Sequence, residues 1–220
     1  MSQPEKATIP GCIDVAVLAP GTTRDDVLAA CREARDLRCA AVCVAPVWVA
    51  EAHRALEGSA VALSAAIGFP LGASTTLAKV FEALECLKHG ATELDIVIHV
   101  GAARSGDFRS IKEEAREIRK RTPEAVHKFI LEMALLPEDA LKRAVKAVAA
   151  SGPAFLKTGT GTVGEVRPED VARLRKLAPT AIRIKAAGGI RTPEQARDLL
   201  AAGADRLGTS TARALLGPSG

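Results

Sequence analysis

The chain has 220 residues, 48% of them hydrophobic and 25% charged, with a formal net charge of +4. That hydrophobic share excludes a disordered chain, and the length fits one α/β domain of barrel size. No uninterrupted apolar run of about 18 residues suggests a membrane span, and with 3% aromatic residues there is no stacking platform for nucleic acid.

Along the chain, short β-rich apolar segments alternate with longer segments of helical period. Met1–Thr8 carries no apolar signal core, so secretion is not expected. The first strand is predicted near Gly11–Val17, followed by a helix over Thr22–Leu37 with Thr23 as its N-cap ahead of Asp25 and Asp26. A second strand over Ala40–Val44 precedes a helix over Val47–Leu56 opened by Pro46. Cys39 and Cys43 match no zinc spacing and are expected on one face of that strand. With Cys12, Cys31 and Cys86 they make five cysteines, an odd set that reads as reduced thiols of a cytoplasmic protein.

The third strand, Ala60–Ile67, runs into Gly68-Phe69-Pro70-Leu71-Gly72, with a helix over Thr75–Lys88. The fourth is Glu93–Val100, and the mixed-sign run Ile111–Arg121 reads as a solvated helix rather than a nucleic-acid patch. Strands at Lys128–Glu132, Phe155–Thr158, Arg183–Ala186 and Asp205–Gly208 complete the series. Pro137, Pro168 and Pro193 open the helices between them, and a short helix closes the chain. Eight strand–helix units with short connections predict an α/β fold, a (β/α)8 TIM barrel in a single domain over 1–220. An open doubly wound sheet is the alternative, but the Gly-x-Gly-x-x-Gly turn it usually carries is absent.

Two stretches carry the candidate chemistry. Ala154–Gly161 delivers Lys157 at a strand end onto a loop of glycines and threonines, and Ile182–Thr192 does the same with Lys185 and Gly188-Gly189. Packing alone explains neither lysine, because lysine is almost never buried unless paired or functional. On strand four, Glu93, Asp95, Val97 and His99 share one face, while Leu94, Ile96, Ile98 and Val100 form an apolar face suited to outer helices. Asp95 is therefore expected inside the barrel with the two lysines. A lysine beside another cation has a lowered pKa, and its neutral amine is a nucleophile. A buried ion-pair network without catalysis is the competing reading, at the cost of burying charge and leaving two glycine loops unexplained.

Taken together, several pieces resemble the deoxyribose-phosphate aldolase family, class I Schiff-base aldolases with a (β/α)8 barrel. They are Ile13-Asp14, Val42-Cys43-Val44, Ile67–Gly72, Glu93–Ile98, Lys157-Thr158-x-Thr160-Gly161, Lys185-Ala186-x-Gly188-Gly189-Ile190-Arg191-Thr192 and Arg206–Ser210. The resemblance runs from about Ile13 to Thr211. It implies that Lys157 forms the Schiff base, that Lys185 lowers its pKa, and that Asp95 serves a proton relay. It also implies that Asp14 and Lys128 line the pocket, and that Thr158, Gly161, Gly188, Gly189, Gly208 and Ser210 hold substrate or its phosphate. Ser210-Thr211 would open the last helix, whose N–H groups attract an anion.

The implied reaction is reversible cleavage of 2-deoxy-D-ribose 5-phosphate to D-glyceraldehyde 3-phosphate and acetaldehyde, in cytoplasmic deoxyribonucleotide catabolism. No metal or other cofactor is expected, because the protonated imine is itself the electron sink. The implied partners are small sugar phosphates and aldehydes and further copies of the chain in a dimer or tetramer, with no nucleic acid and no membrane. Several positions depart from the family pattern. Val15 and Ala16 follow Asp14 where His-Thr is usual, Ala45 and His99 stand for asparagines, Met133 for threonine, Gly159 and Ala187 for serines, and there is no tyrosine. Most of these changes remove a hydroxyl or amide that could hold substrate or water. They leave open a related aldolase with another aldehyde specificity, or an idle family member that binds a sugar phosphate.

Overall fold

Eight parallel strands pair in chain order from β1 to β8, and β1 pairs with β8 to close the barrel. The computed structural model describes residues 9–216. The strands are β1 Ile13–Val17, β2 Ala41–Val44, β3 Ala62–Ile67, β4 Glu93–Val97, β5 Val126–Ile130, β6 Phe155–Lys157, β7 Arg183–Ala187 and β8 Arg206–Thr209. The helices are α1 Arg24–Leu37, α2 Val49–Leu56, α3 Thr76–Lys88, α4 Val100–Ser105, α5 Phe108–Arg121, α6 Glu138–Ala149, α7 Pro168–Leu177 and α8 Pro193–Ala201. Among the described residues no helix is long and apolar enough to cross a membrane.

Local chemistry sets these boundaries. Thr23 caps α1 reciprocally: its hydroxyl accepts the Asp26 N–H and its own N–H donates to the Asp26 carboxylate. Thr192 and Gln195 do the same for α8. The outward strand faces and the inward helix faces share one apolar core, in which Val42, Val44, Leu94, Ile96 and Ile184 are fully buried. The inward strand faces are different, because they are crowded with charge.

Several boundaries differ from the sequence expectation, among them β5, which runs Val126–Ile130 rather than Lys128–Glu132. β4 ends at Val97, because the His99 Nδ1 accepts the Ala102 N–H at 2.8 Å and caps α4. The apolar alternation that ran on to Val100 thus belongs partly to a short helix. Pro46 opens a 3-10 turn, Pro46–Trp48, before α2 begins. The last helix is likewise a 3-10 turn, Ala212–Leu216. Cys39 precedes β2, its N–H bonded to the Ala34 carbonyl at the end of α1, so only Cys43 lies on the strand.

The register then positions the site. Asp95 pairs with Lys128, Ile130 with Lys157, and Lys157 with Lys185. Beside them the loop after β3 is held against the end of β4. Gly72 there has φ +66°, and a Cβ on it would stand 1.9 Å from the Ile98 carbonyl oxygen, so only glycine fits.

Candidate active site

A cavity of about 850 Å³ opens at the C-terminal ends of the strands. Its walls are the loops after β1, β6, β7 and β8, with Phe69 at one side, and both Lys157 and Lys185 reach it. The loops after β6 and β7 pack backbone to backbone: Val166 donates to the Gly188 carbonyl at 3.0 Å. Gly188 has φ +123°, and a Cβ there would meet the Gly164 oxygen at 2.7 Å, so the contact requires glycine. Gly208 is kept bare for another reason. A Cβ on it would press on Ala187 at 3.0 Å and on the Lys185 Cε at 3.3 Å.

Below the cavity lies a network of charges drawn from several strands. The Lys157 Nζ donates to Asp95 Oδ2 at 2.6 Å, and the Lys185 Nζ donates to that same oxygen at 2.7 Å. Lys185 also reaches Asp14 Oδ2 at 2.5 Å. Lys128 lies 2.8 Å from Asp95 Oδ1, 2.5 Å from Glu93 and 3.2 Å from Asp14. The Ser64 hydroxyl donates to Asp95 Oδ1 at 2.9 Å. Arg206 bonds Asp14 Oδ1 at 2.6 Å, approaches Glu93 at 3.5 Å and lies over the Phe155 ring at 5.7 Å.

These positions divide the three lysines. Burial disfavours every one of these charges, but the carboxylates outweigh it for Lys128, which is held well above the ordinary lysine value by Asp14, Asp95 and Glu93. Lys185 is likewise raised against burial, by Asp14 and Asp95. Lys157 goes the other way. Burial and then the Lys185 cation lower it, against the single carboxylate it touches. Burial would raise Asp95, yet Lys128, Lys157 and Lys185 hold it well below the usual carboxylate range. Four cations (Lys128, Lys157, Lys185, Arg206) face three carboxylates (Asp14, Glu93, Asp95), so a neutral Lys157 leaves three against three. The arrangement therefore favours loss of a proton from Lys157 over the other two lysines, beside a carboxylate–ammonium pair able to move a proton.

Of the residues expected at the site, Lys157, Lys185, Gly161, Gly188, Gly189, Gly208 and Ser210 line the cavity. Asp95 touches both lysines from beneath it. Asp14 and Lys128 are fully buried in the network and do not reach the cavity wall. Thr158 is also absent from the wall: its hydroxyl accepts the Ala187 N–H at 3.0 Å and donates to the Ala187 carbonyl at 3.2 Å, stitching β6 to β7.

The divergent positions separate as well. Val15, Ala16 and Ala187 line the cavity, whereas Ala45, His99, Met133 and Gly159 do not. His99 instead borders a second cavity of about 480 Å³ with Ser74, Thr76 and Glu114. Gly159 faces Glu132, and a Cβ on it would come within 2.7 Å of the Glu132 Oε1, which accepts the Thr160 N–H at 3.2 Å. Sequence reasoning gave no role to Glu93, Arg206 or Ser64. The signal for Glu93 was its phase with Asp95 on β4, and for Arg206 its phase with Gly208 on β8.

Comparison with known proteins gives a consistent set of relatives. Residues 13–216 match the family described as DeoC/LacD family aldolase. The deoxyribose-phosphate aldolase of Desulfitobacterium hafniense is 41% identical over 208 residues, covering 91% of this chain and 94% of that protein. The enzyme of the same name from Bacillus cereus is 39% identical over 206 residues, covering 93% and 92%. The solved structure titled as a unique tetrameric deoxyribose phosphate aldolase from Aeropyrum pernix superposes with a TM-score of 0.89 at 35% identity, covering 94% of this chain and 89% of that one.

Proposed function

The chain belongs to the DeoC/LacD family of aldolases, and from that premise we propose that it cleaves 2-deoxy-D-ribose 5-phosphate to D-glyceraldehyde 3-phosphate and acetaldehyde, reversibly, through an imine on Lys157. The observation that carries the reading is one oxygen, Asp95 Oδ2, shared by Lys157 and Lys185 at the floor of the cavity. A shared carboxylate leaves Lys157 the least tightly held of the lysines, and so the amine available to a carbonyl.

The steps follow from that placement. The neutral Lys157 amine adds to the C1 aldehyde of the open-chain sugar, and loss of water gives a protonated imine. The C3 hydroxyl gives up its proton, the C2–C3 bond breaks, and its electron pair flows into the imine to form an enamine, releasing glyceraldehyde 3-phosphate. The enamine carbon takes a proton, and water hydrolyses the resulting imine to acetaldehyde and the free amine. Asp95, bridging Lys157 and Lys185, is the group through which protons are given and recovered. Backbone N–H groups around Gly161, Gly188 and Gly189, with Ser210, supply the phosphate site.

The proposal extends to compartment and assembly. All five cysteines are buried free thiols, which suits the reducing cytoplasm. Val47, Leu71, Leu77 and Phe81 are 61–78% exposed, a set of large apolar side chains suited to contact between copies of the chain. Light scattering at micromolar concentration should give a dimer or tetramer, and a monomer would remove that part of the proposal.

Borohydride reduction in acetaldehyde tests the chemistry. The peptide containing Lys157 should carry one N-ethyl group, a net gain of C2H4, and Lys157→Ala should lose both the label and cleavage of deoxyribose 5-phosphate, by roughly 10³-fold or more. Labelling of a different lysine with turnover intact would sink the assignment.

A further inference from the structure

The reacting lysine sits at one end of a chain of ion pairs whose other end lies near the N-terminal ends of the strands. Arg206 is the first residue of β8 and Glu93 the first of β4. Neither reaches the cavity. We propose that Arg206 and Glu93 are positioning residues that fix how Asp95 is divided among the three lysines, and so leave Lys157 the least firmly held cation. The inference rests on Lys157 being the reacting amine.

The contacts give each residue a definite direction. Arg206 occupies Asp14 Oδ1, leaving Asp14 Oδ2 to bind Lys185 at 2.5 Å and Lys128 at 3.2 Å. Without Arg206, Asp14 carries more uncompensated charge and draws Lys185 away from Asp95. The Asp95 Oδ2 then belongs to Lys157 alone, which is held more tightly as a cation. Glu93 acts in the opposite sense. It holds Lys128 at 2.5 Å. Without that charge Lys128 leans on Asp95 Oδ1, and Asp95 has less negative charge to offer Lys157.

The groups facing Lys157 directly are Asp95 on β4, Lys185 on β7 and the Cys43 thiol on β2. Asp14 on β1, Glu93 on β4, Lys128 on β5 and Arg206 on β8 stand behind them, paired among themselves and with Asp95 or Lys185, and the Ser64 hydroxyl on β3 bonds Asp95. Glu93 is 5% exposed and Arg206 is paired to two of the three carboxylates, so neither is screened as a surface charge would be. A purely structural role would be felt in stability alone. A role in dividing Asp95 must move the titration of Lys157, and must move it oppositely for the two residues.

Competitive acylation with acetic anhydride across pH, read by mass spectrometry at the Lys157 peptide, reports that titration without requiring turnover. Arg206→Met should raise the midpoint by about one pH unit and Glu93→Gln should lower it by about one. Arg206→Lys, which keeps the charge, should stay within about 0.3 units of the unaltered protein. Should Arg206→Met not fold, Glu93→Gln and Arg206→Lys decide the matter. A midpoint unmoved in Glu93→Gln, or moved in the same direction in Arg206→Met and Glu93→Gln, overturns the inference. Borohydride trapping on the unaltered protein is run in parallel: absence of an acetaldehyde adduct on Lys157 removes the imine reading, while the acylation midpoints still judge the charge division.

Discussion

At the scale of single residues, the distinction that matters is between a lysine held by two or more carboxylates and one held by a share of a single carboxylate. Lys185 holds two carboxylates, Asp14 and Asp95, whereas Lys157 has only a share of Asp95. Lys185→Leu should therefore act on Lys157 twice, removing a neighbouring cation and freeing Asp95 Oδ2. Both effects raise the Lys157 pKa, so the rising limb of the rate–pH profile should move to higher pH. An unshifted limb with full activity would show that Lys185 only fills space. The divergent positions can be sorted in the same way. Ala187 borders the cavity, so Ala187→Ser adds a hydroxyl to its wall, expected to contribute roughly 0.5–1.5 kcal/mol, or up to about tenfold in the rate of deoxyribose 5-phosphate cleavage. Gly159→Ser does not face the cavity. It pushes on Glu132 and through it on the Thr160 loop, and should lower activity. Equal gains from both substitutions, measured side by side, would contradict this sorting.

At the scale of elements, the barrel was legible because each strand–helix unit announces itself locally. Thr23 and the prolines at 168 and 193 mark helix starts through the N–H groups they satisfy or omit, and those positions held to within a residue. The end of β4 was not legible. Ile98 and Val100 keep the two-residue alternation past Val97, and only the His99 cap, formed after the chain turns, shows where the strand stops. Thr158 failed for a related reason: a hydroxyl in a glycine-rich loop looks like a ligand until its backbone partner on the neighbouring strand is known. The loop after β3 was read as a motif, and its physical basis is steric. Gly72→Ala sets a Cβ against the Ile98 carbonyl oxygen at a positive φ. The backbone term alone costs roughly 1–3 kcal/mol, and the overlap adds to it. A fall in Tm of about 5–10 °C is expected. A change under about 2 °C would mean that the loop lifts off β4 without loss, and that its contact with the Ile98 carbonyl contributes little.

At the scale of the whole molecule, the pH limits of stability are set less by the charged interior than by groups buried neutral. Asp14 and Asp95 are held below the usual range, so their stabilisation is present above about pH 4 and fades only as the pH falls through their lower folded values. Lys128 and Lys185 are raised, so theirs is complete below about pH 10.4 and fades only above it. Inside that span the first acid loss comes from His127, which burial lowers to about 4. The unfolded chain takes up a proton there near pH 6.5 that the folded one refuses, so stability declines from about pH 6.5 towards 4. The alkaline side belongs to the thiols. Burial raises Cys31 and Cys39 to about 11 and Cys86 to about 12. Above about pH 9 the unfolded chain sheds protons that the folded chain keeps, at most about 1.4 kcal/mol per pH unit for each thiol. Lys79 and Lys157, both lowered, oppose this by gaining stability as the pH climbs towards 10.4, so the thiol contribution must be measured by difference. Cys86→Ala should lower stability at neutral pH through lost packing, yet make the decline between pH 9 and 11 shallower than in the unaltered protein. Parallel unfolding curves at pH 8, 9, 10 and 11 measure that slope. If the two proteins lose stability at the same rate above pH 9, Cys86 ionises in the folded state as readily as in the unfolded one, and the alkaline limit has another source.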